Sequence, residues 1–263
     1  MIGSITKLFT STLLAQMVID KKIELDDNIS ISYKQLANHT SGLLDDSTHF
    51  FDDNFFDNDK YKNFTYSDIE YYLEHDLSLG VAQNSFKYSN FGVATLGYML
   101  THIENKSYEE LLQERILSQL NMTHTTTIRE NVPNLVPALM PNDDPVPFGF
   151  KSAGGVISTV EDLYAFLLAS LSDLPEVLLA QKETFKIDDT SSIGLGWNIF
   201  TDLETETKFY FHLGATEGYR SLLILDRESR NGMIILSNLP IGVDGQPILD
   251  LGKQLLRIVY TQG

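Results

Sequence analysis

The sequence contains no cysteine. That excludes disulfides and thiolate metal sites, and it leaves the compartment open because cysteine-free chains occur in reducing and oxidising surroundings alike. Positive charge is scarce: 19 lysines and arginines stand against 36 aspartates and glutamates, for a formal charge of -17. Such a balance repels nucleic acid and anionic lipid, so neither is an expected partner. Long apolar runs are also missing. The opening apolar stretch is broken by Thr10, Ser11, Thr12 and Gln16 and is too polar to span a bilayer. No basic region precedes it and no small-residue cleavage site follows, so it does not read as a signal peptide. As written the chain is expected to be unexported, whereas a leader removed upstream would place it in the periplasm or outside the cell. No internal repeat and no Gly-rich loop leading to a lysine or a dinucleotide fold is present, so Gly154, Gly155 and Gly218 read as tight-packing positions, and no cofactor is expected.

What is present suits a globular fold. The 263 residues are 43% hydrophobic and 21% charged, enough for one large domain or two interwoven lobes. From Ile5 to about Ile19 apolar side chains occupy nearly every face, the pattern of a helix buried on all sides. Residues 45 to 65 mix acidic and aromatic side chains without a steady period, which reads as a substrate-facing flap or as a solvated acidic loop. They lack the glycine and final glutamate of a calcium loop, so no metal is expected there. After Tyr88-Ser89-Asn90 comes a helical run, then Ser107 and Glu110 as a capping box, a loop from Pro133 to Pro147, and Ser158 with Glu161 as a second helix start. The last third holds the strand-like runs GLGWNIF, TKFYFHLG, YRSLLILD and GMIILSN, with Asn231-Gly232 as a hairpin signal. Pro247 suits the first turn of a closing amphipathic helix. The predicted class is α+β, an antiparallel sheet flanked by helices plus a mostly helical lobe. The lobes are expected at about 25–185 for the helical one, and at about 1–24 plus 186–263 for the α/β one.

Ser4 followed by Lys7 at a helix start puts a hydroxyl and an amine on one face, one turn apart. That pair makes an activated nucleophile if the lysine is neutral enough to take the serine proton. A chain of this composition contains on the order of one Ser-x-x-Lys by chance, so alone the motif carries little. Tyr88-Ser89-Asn90 at the head of one helix and His212-Leu213-Gly214 on a strand give it an ordered context. Singly, Tyr88 could be a hydrogen-bonded core tyrosine and His212 a satisfied strand histidine. Arg220 reads as a salt-bridge residue before a carboxylate binder, and Trp197 as core.

With SITK, YSN and HLG, the segments LANHTSGL, SAGGVISTVEDL, GLGW and HLGATEGYRS resemble the family of class C β-lactamases, D-alanyl-D-alanine carboxypeptidases and related esterases. The resemblance covers almost the whole chain. It implies a β-lactamase or penicillin-binding-protein-like fold, acylation of Ser4, and proton transfer shared by Lys7 and Tyr88. It gives Asn90 the task of holding the lysine or a substrate amide, and sets His212, Gly214 and Ala215 along the substrate, with the Ser4 and Ala215 amides as an oxyanion hole. Tyr88 would need the positive charge of Lys7 or His212 to act as a phenolate, since a free phenol has a pKa of about 10. His39 in NHTSGL reads as a structural turn residue, and Ser41 is not the nucleophile. His-Leu-Gly in place of Lys-Thr-Gly tilts the expected activity towards an esterase or peptidase.

The sequence departs from that family before Ser4, where the usual N-terminal strands are absent. The sheet edge they would cover is then expected to be short or to be covered by a partner chain, a second copy included. Two functions compete: a hydrolase of esters or amides (β-lactam, D-Ala-D-Ala-type peptide or small ester), and a catalytically weak homologue that binds penicillin or peptidoglycan fragments.

Overall fold

The computed structural model describes residues 1–27, 30–43, 65–75, 82–138, 150–216, 218–238 and 246–261. The acidic-aromatic stretch 45–65 lies outside these except for Thr65, as do residues 139–147 of the proline-bearing loop.

A 3-10 turn, Gly3–Ile5, leads into α1, Thr6–Ile19. Leu8, Phe9, Leu13, Leu14 and Met17 are all fully buried, on successive faces, as the apolar pattern predicted. The polar groups that go inside with them are satisfied. Thr10 Oγ1 lies 2.7 Å from the Tyr108 hydroxyl and 2.6 Å from the Ser152 carbonyl, and Thr6 Oγ1 accepts the Val156 amide at 3.2 Å. Around α1 run α2 (Tyr33–Ala37), α3 (Tyr66–His75), α4 (Asn90–Glu104), α5 (Tyr108–Leu112), α6 (Lys151–Gly154), α7 (Val160–Ser170) and α8 (Pro175–Gln181). The Ser107 capping box is present, with Ser107 Oγ accepting the Glu110 amide and the Glu110 carboxylate accepting the Ser107 amide. A π-helical turn, Gln113–Leu117, completes the run predicted as one helix. The start of α7 differs by a residue from its prediction. Thr159 is the cap, accepting the Asp162 amide at 3.2 Å, because the Ser158 hydroxyl is engaged with Thr125 Oγ1 at 2.7 Å.

Six antiparallel strands form one sheet in chain order: β1 (Phe185–Lys186), β2 (Ser191–Ile193), β3 (Asn198–Thr201), β4 (Lys208–Ala215), β5 (Arg220–Asp226) and β6 (Asn231–Ser237). The closing helix α9, Gln246–Thr261, packs on β5 and β6. Alternation along the strands separates two cores. Leu223 and Leu225 of β5 join the α1 core with Trp197, whereas Leu222 and Ile224 join Phe209 and the α9 residues Leu249 and Leu256. With both faces covered, every residue of β5 is buried.

The Asn231-Gly232 signal marks the right hairpin and the wrong turn. Asp226 pairs with Asn231, so the connection is residues 227–230, with Arg230 left-handed at φ 56. The Asp226 carboxylate builds this turn by accepting the Glu228 amide and the Ser229 hydroxyl, both at 2.8 Å. Gly232 stands in β6, where a Cβ would come within 2.8 Å of Leu167 on α7. GLGW is not strand either; β3 begins after it, and Trp197 is core as expected. Strands β1 and β2 were not anticipated, because two and three residues show no alternation. β6, seven residues long, forms one edge of the sheet and β1, two residues long, forms the other. Among the described residues no single helix is long and apolar enough to cross a membrane.

Candidate active site

The turn that carries Ser4 is held from both sides. The Ile2 amide donates to the Val156 carbonyl at 3.1 Å, and the Ser221 hydroxyl of β5 donates to the Ile2 carbonyl at 2.8 Å. Gly3, left-handed at φ +50, and Gly214 let two main chains touch. A Cβ on Gly214 would lie 2.1 Å from the Ile2 carbonyl oxygen, and one on Gly3 would lie 2.7 Å from the Ala215 nitrogen. Ser4 thus starts its helix directly against the end of β4. Amides of a first helical turn have no partner within the helix.

Lys7 follows one turn later, on the same face, and its residue is 0% exposed. Its Nζ lies 3.0 Å from Ser4 Oγ, 2.6 Å from Asn90 Oδ1 and 2.7 Å from the Ala153 carbonyl oxygen. Two of these neighbours can only accept hydrogen bonds, so they take two N–H groups and leave the third valence of the nitrogen facing Ser4. A neutral amine held this way presents its lone pair to the serine proton. The Tyr88 hydroxyl meets the same Ser4 Oγ at 2.8 Å, and Lys7 Nζ lies 4.9 Å from the centre of the Tyr88 ring. Tyr88 and Asn90 arrive together because Ser89 between them caps α4, accepting the Gly92 amide at 2.9 Å. Of the two tasks expected of Asn90, the contact formed is that with the lysine.

His212 comes from β4, 3% exposed, with its ring centre 6.3 Å from that of Tyr88. Its Nδ1 lies 2.7 Å from the Leu213 carbonyl oxygen and so donates to it, while the buried Nε2 has no hydrogen-bond partner. Burial, and then the nearby Lys7 charge, push its pKa down to about 3. His212 is therefore uncharged at neutral pH, which corrects the expectation that it could help favour a Tyr88 phenolate.

The same shift sets a dependence of stability on acid. Unfolded histidine protonates near 6.5 and native His212 near 3. Between these values the unfolded chain holds the extra proton, so stability falls as pH drops through that window. At pH 5 the cost from this residue is about 2 kcal/mol. Urea unfolding of the parent chain and of His212→Asn at pH 7 and pH 5 measures it. The parent should lose about 2 kcal/mol more than the variant, and equal losses would mean that the native imidazole is charged.

Two contributors escaped the sequence. The Ala153 carbonyl is main chain and leaves no residue signature, although SAGG marks its neighbourhood. His39, read as a turn residue, has its ring 4.4 Å from that of Tyr88. Arg220 is buried and donates from Nη1 to the Thr216 and Tyr219 carbonyls, at 2.6 and 2.9 Å. Gly155 is a tight-packing position as expected, with a Cβ there falling 2.7 Å from the Lys151 Cα.

Comparison with known proteins places the chain by family and by fold. The chain is similar to Protein flp of Staphylococcus aureus, 23% identical over 277 residues that take in 90% of this chain and 52% of that protein. It thus spans about half the length of that curated relative. In fold it is similar to the octameric penicillin-binding protein homologue of Pyrococcus abyssi, with a TM-score of 0.80 and 22% identity over 99% of this chain and 65% of that one. It is also similar to the β-lactamase/D-alanine carboxypeptidase of Yersinia pestis, with a TM-score of 0.79 and 19% identity over 98% and 83% of the two chains. The family model described as Beta-lactamase matches residues 1–255, and the chain belongs to the beta-lactamase family.

Proposed function

We propose that this chain is a serine hydrolase that forms an acyl-enzyme on Ser4 and hydrolyses an ester or amide. The observation that carries this reading is the convergence on Ser4 Oγ of Lys7 Nζ at 3.0 Å and the Tyr88 hydroxyl at 2.8 Å. The serine proton passes to Lys7 or Tyr88 as Ser4 Oγ attacks the carbonyl carbon, and the same groups return it to the leaving alcohol or amine. Water then attacks the acyl-enzyme and gives up a proton to that pair, which passes it to Ser4 Oγ as the Oγ–acyl bond breaks and the acid leaves. The Ser4 and Ala215 amides are the proposed oxyanion donors, each of a kind typically worth about 10²–10³ in rate.

Gly214, Ala215 and His212 line the acyl group in this reading, and Asn90 keeps Lys7 in place. In this reading the substrate lies between the helical lobe, about residues 25–185, and the sheet. A β-lactam, a D-Ala-D-Ala-type peptide and a small ester all offer the required carbonyl. With His212 uncharged, this strand brings no cation to a substrate carboxylate, which favours esters and uncharged amides. Family membership supports the reaction class.

The reading is tested by intact-mass spectrometry after incubation with benzylpenicillin and, separately, with an activated ester, on the parent chain and on Ser4→Ala. A mass increment that needs Ser4, together with catalytic release of product, is the expected result. An adduct that persists without turnover assigns the chain to penicillin binding instead. No labelling by either reagent would overturn acylation at Ser4.

A further inference from the structure

We propose that His39 is the positioning residue for Tyr88, setting the angle at which the phenol meets Ser4. Three consecutive residues are held by three different parts of this histidine. Its carbonyl accepts the Lys87 amide at 2.9 Å, its ring faces the Tyr88 ring at 4.4 Å with 32° between the planes, and its Nδ1 accepts the Ser89 amide at 3.1 Å. Phe86 closes the far side edge-on at 6.1 Å. Such contact along 86–89 exceeds what a turn residue needs.

The local backbone is bent to allow it. His39 is left-handed at φ 59 and 1% exposed, a conformation that is strained for a non-glycine residue and persists only where its surroundings hold it. Those surroundings are visible: Thr40 Oγ1 donates to Asn38 Oδ1 at 2.6 Å, Asn38 Nδ2 donates to Thr184 Oγ1 at 3.1 Å, and the Thr40 carbonyl accepts the Asn84 amide at 2.9 Å. Because Nδ1 accepts an amide hydrogen, the ring proton sits on Nε2, which is buried and has no hydrogen-bond partner. The ring against Tyr88 is thus neutral, and burial with the Lys7 charge keeps it so. A neutral ring fixes the phenol without adding a charge of its own.

This inference rests on the reading that Tyr88 moves the Ser4 proton, so its test carries one readout that needs no turnover. The variants are His39→Phe, which keeps a ring and loses the acceptor, and His39→Asn, which keeps an acceptor and tolerates the left-handed backbone. Each is made alone and with Tyr88→Phe, and urea midpoints verify folding. Acylation by p-nitrophenyl acetate should slow about tenfold in both single variants with KM changed less than about twofold, and by less than about twofold where Tyr88 is already phenylalanine. A merely structural role would cost the same in both backgrounds.

The second readout is the ζ-carbon resonance of Tyr88 in chain labelled at that carbon, assigned by its loss in Tyr88→Phe. It should shift and titrate differently in both His39 variants. An unchanged resonance and titration, or equal kinetic costs in the two backgrounds, overturns the role of His39 alone. A Tyr88→Phe chain that acylates at the parental rate overturns the catalytic role of Tyr88, and with it this inference.

Discussion

Replacing Lys7 by methionine is expected to slow acylation of Ser4 by about 10²–10⁴-fold, the range that a positioned general base supplies. Methionine has nearly the length and volume of lysine, so the packing around α1 is retained and no cavity opens. What is lost is the nitrogen that faces Ser4 Oγ at 3.0 Å while bonded to Asn90 Oδ1 and the Ala153 carbonyl. Tyr88 would still touch Ser4, but without the lysine nitrogen that lies 4.9 Å from its ring centre. Stopped-flow release of p-nitrophenol measures the effect, with far-ultraviolet circular dichroism to show that the variant is folded. A folded Lys7→Met chain that acylates within a few-fold of the parent would remove Lys7 from the mechanism.

Gly214→Ala is the second large effect, and it acts through shape. The added methyl would sit 2.1 Å from both the Ile2 carbonyl oxygen and Ser221 Oγ. A serine hydroxyl can rotate away, but a carbonyl fixed by its own chain cannot, so β4 and the Ile2–Gly3 segment must separate. Overpacking of this sort costs about 1–3 kcal/mol, and a backbone neighbour puts the expected loss near 3 kcal/mol. Activity should fall with it, since the displaced strand carries His212 and Ala215 away from Ser4. Urea denaturation and the same ester assay check both halves. Parental stability in Gly214→Ala would mean that the two segments do not lie in contact.

Much of the fold was legible because its long elements obey simple periods. The all-round apolar pattern of α1, the capping box at Ser107 and the short apolar or alternating runs of β4 to β6 each gave the right element. The errors were local and have local causes. A hydroxyl already engaged elsewhere moved the start of α7 from Ser158 to Thr159, and the Asp226 carboxylate built a turn that Asn231-Gly232 appeared to claim. In the site, Ser4, Lys7, Tyr88 and Asn90 could be named from motif order, and the structure brings their polar atoms together. The Ala153 carbonyl could not, since a main-chain acceptor has no letter of its own. The charge of His212 was equally illegible: it depends on burial and on Lys7, which lies 205 positions away along the chain.

The contact between Ile2 and Ser221 spans 219 positions, and those from Lys7 to Asn90 and Ala153 span 83 and 146. Loops of that length close late, after helices and hairpins have formed, because chain entropy must be overcome before any such contact is rewarded. Ser4 and the groups around it are therefore expected to assemble in the last steps of folding. A partly folded chain, however rich in helix and sheet, would then lack the site, so under the proposed function the onset of acylation would itself report that the whole topology has closed.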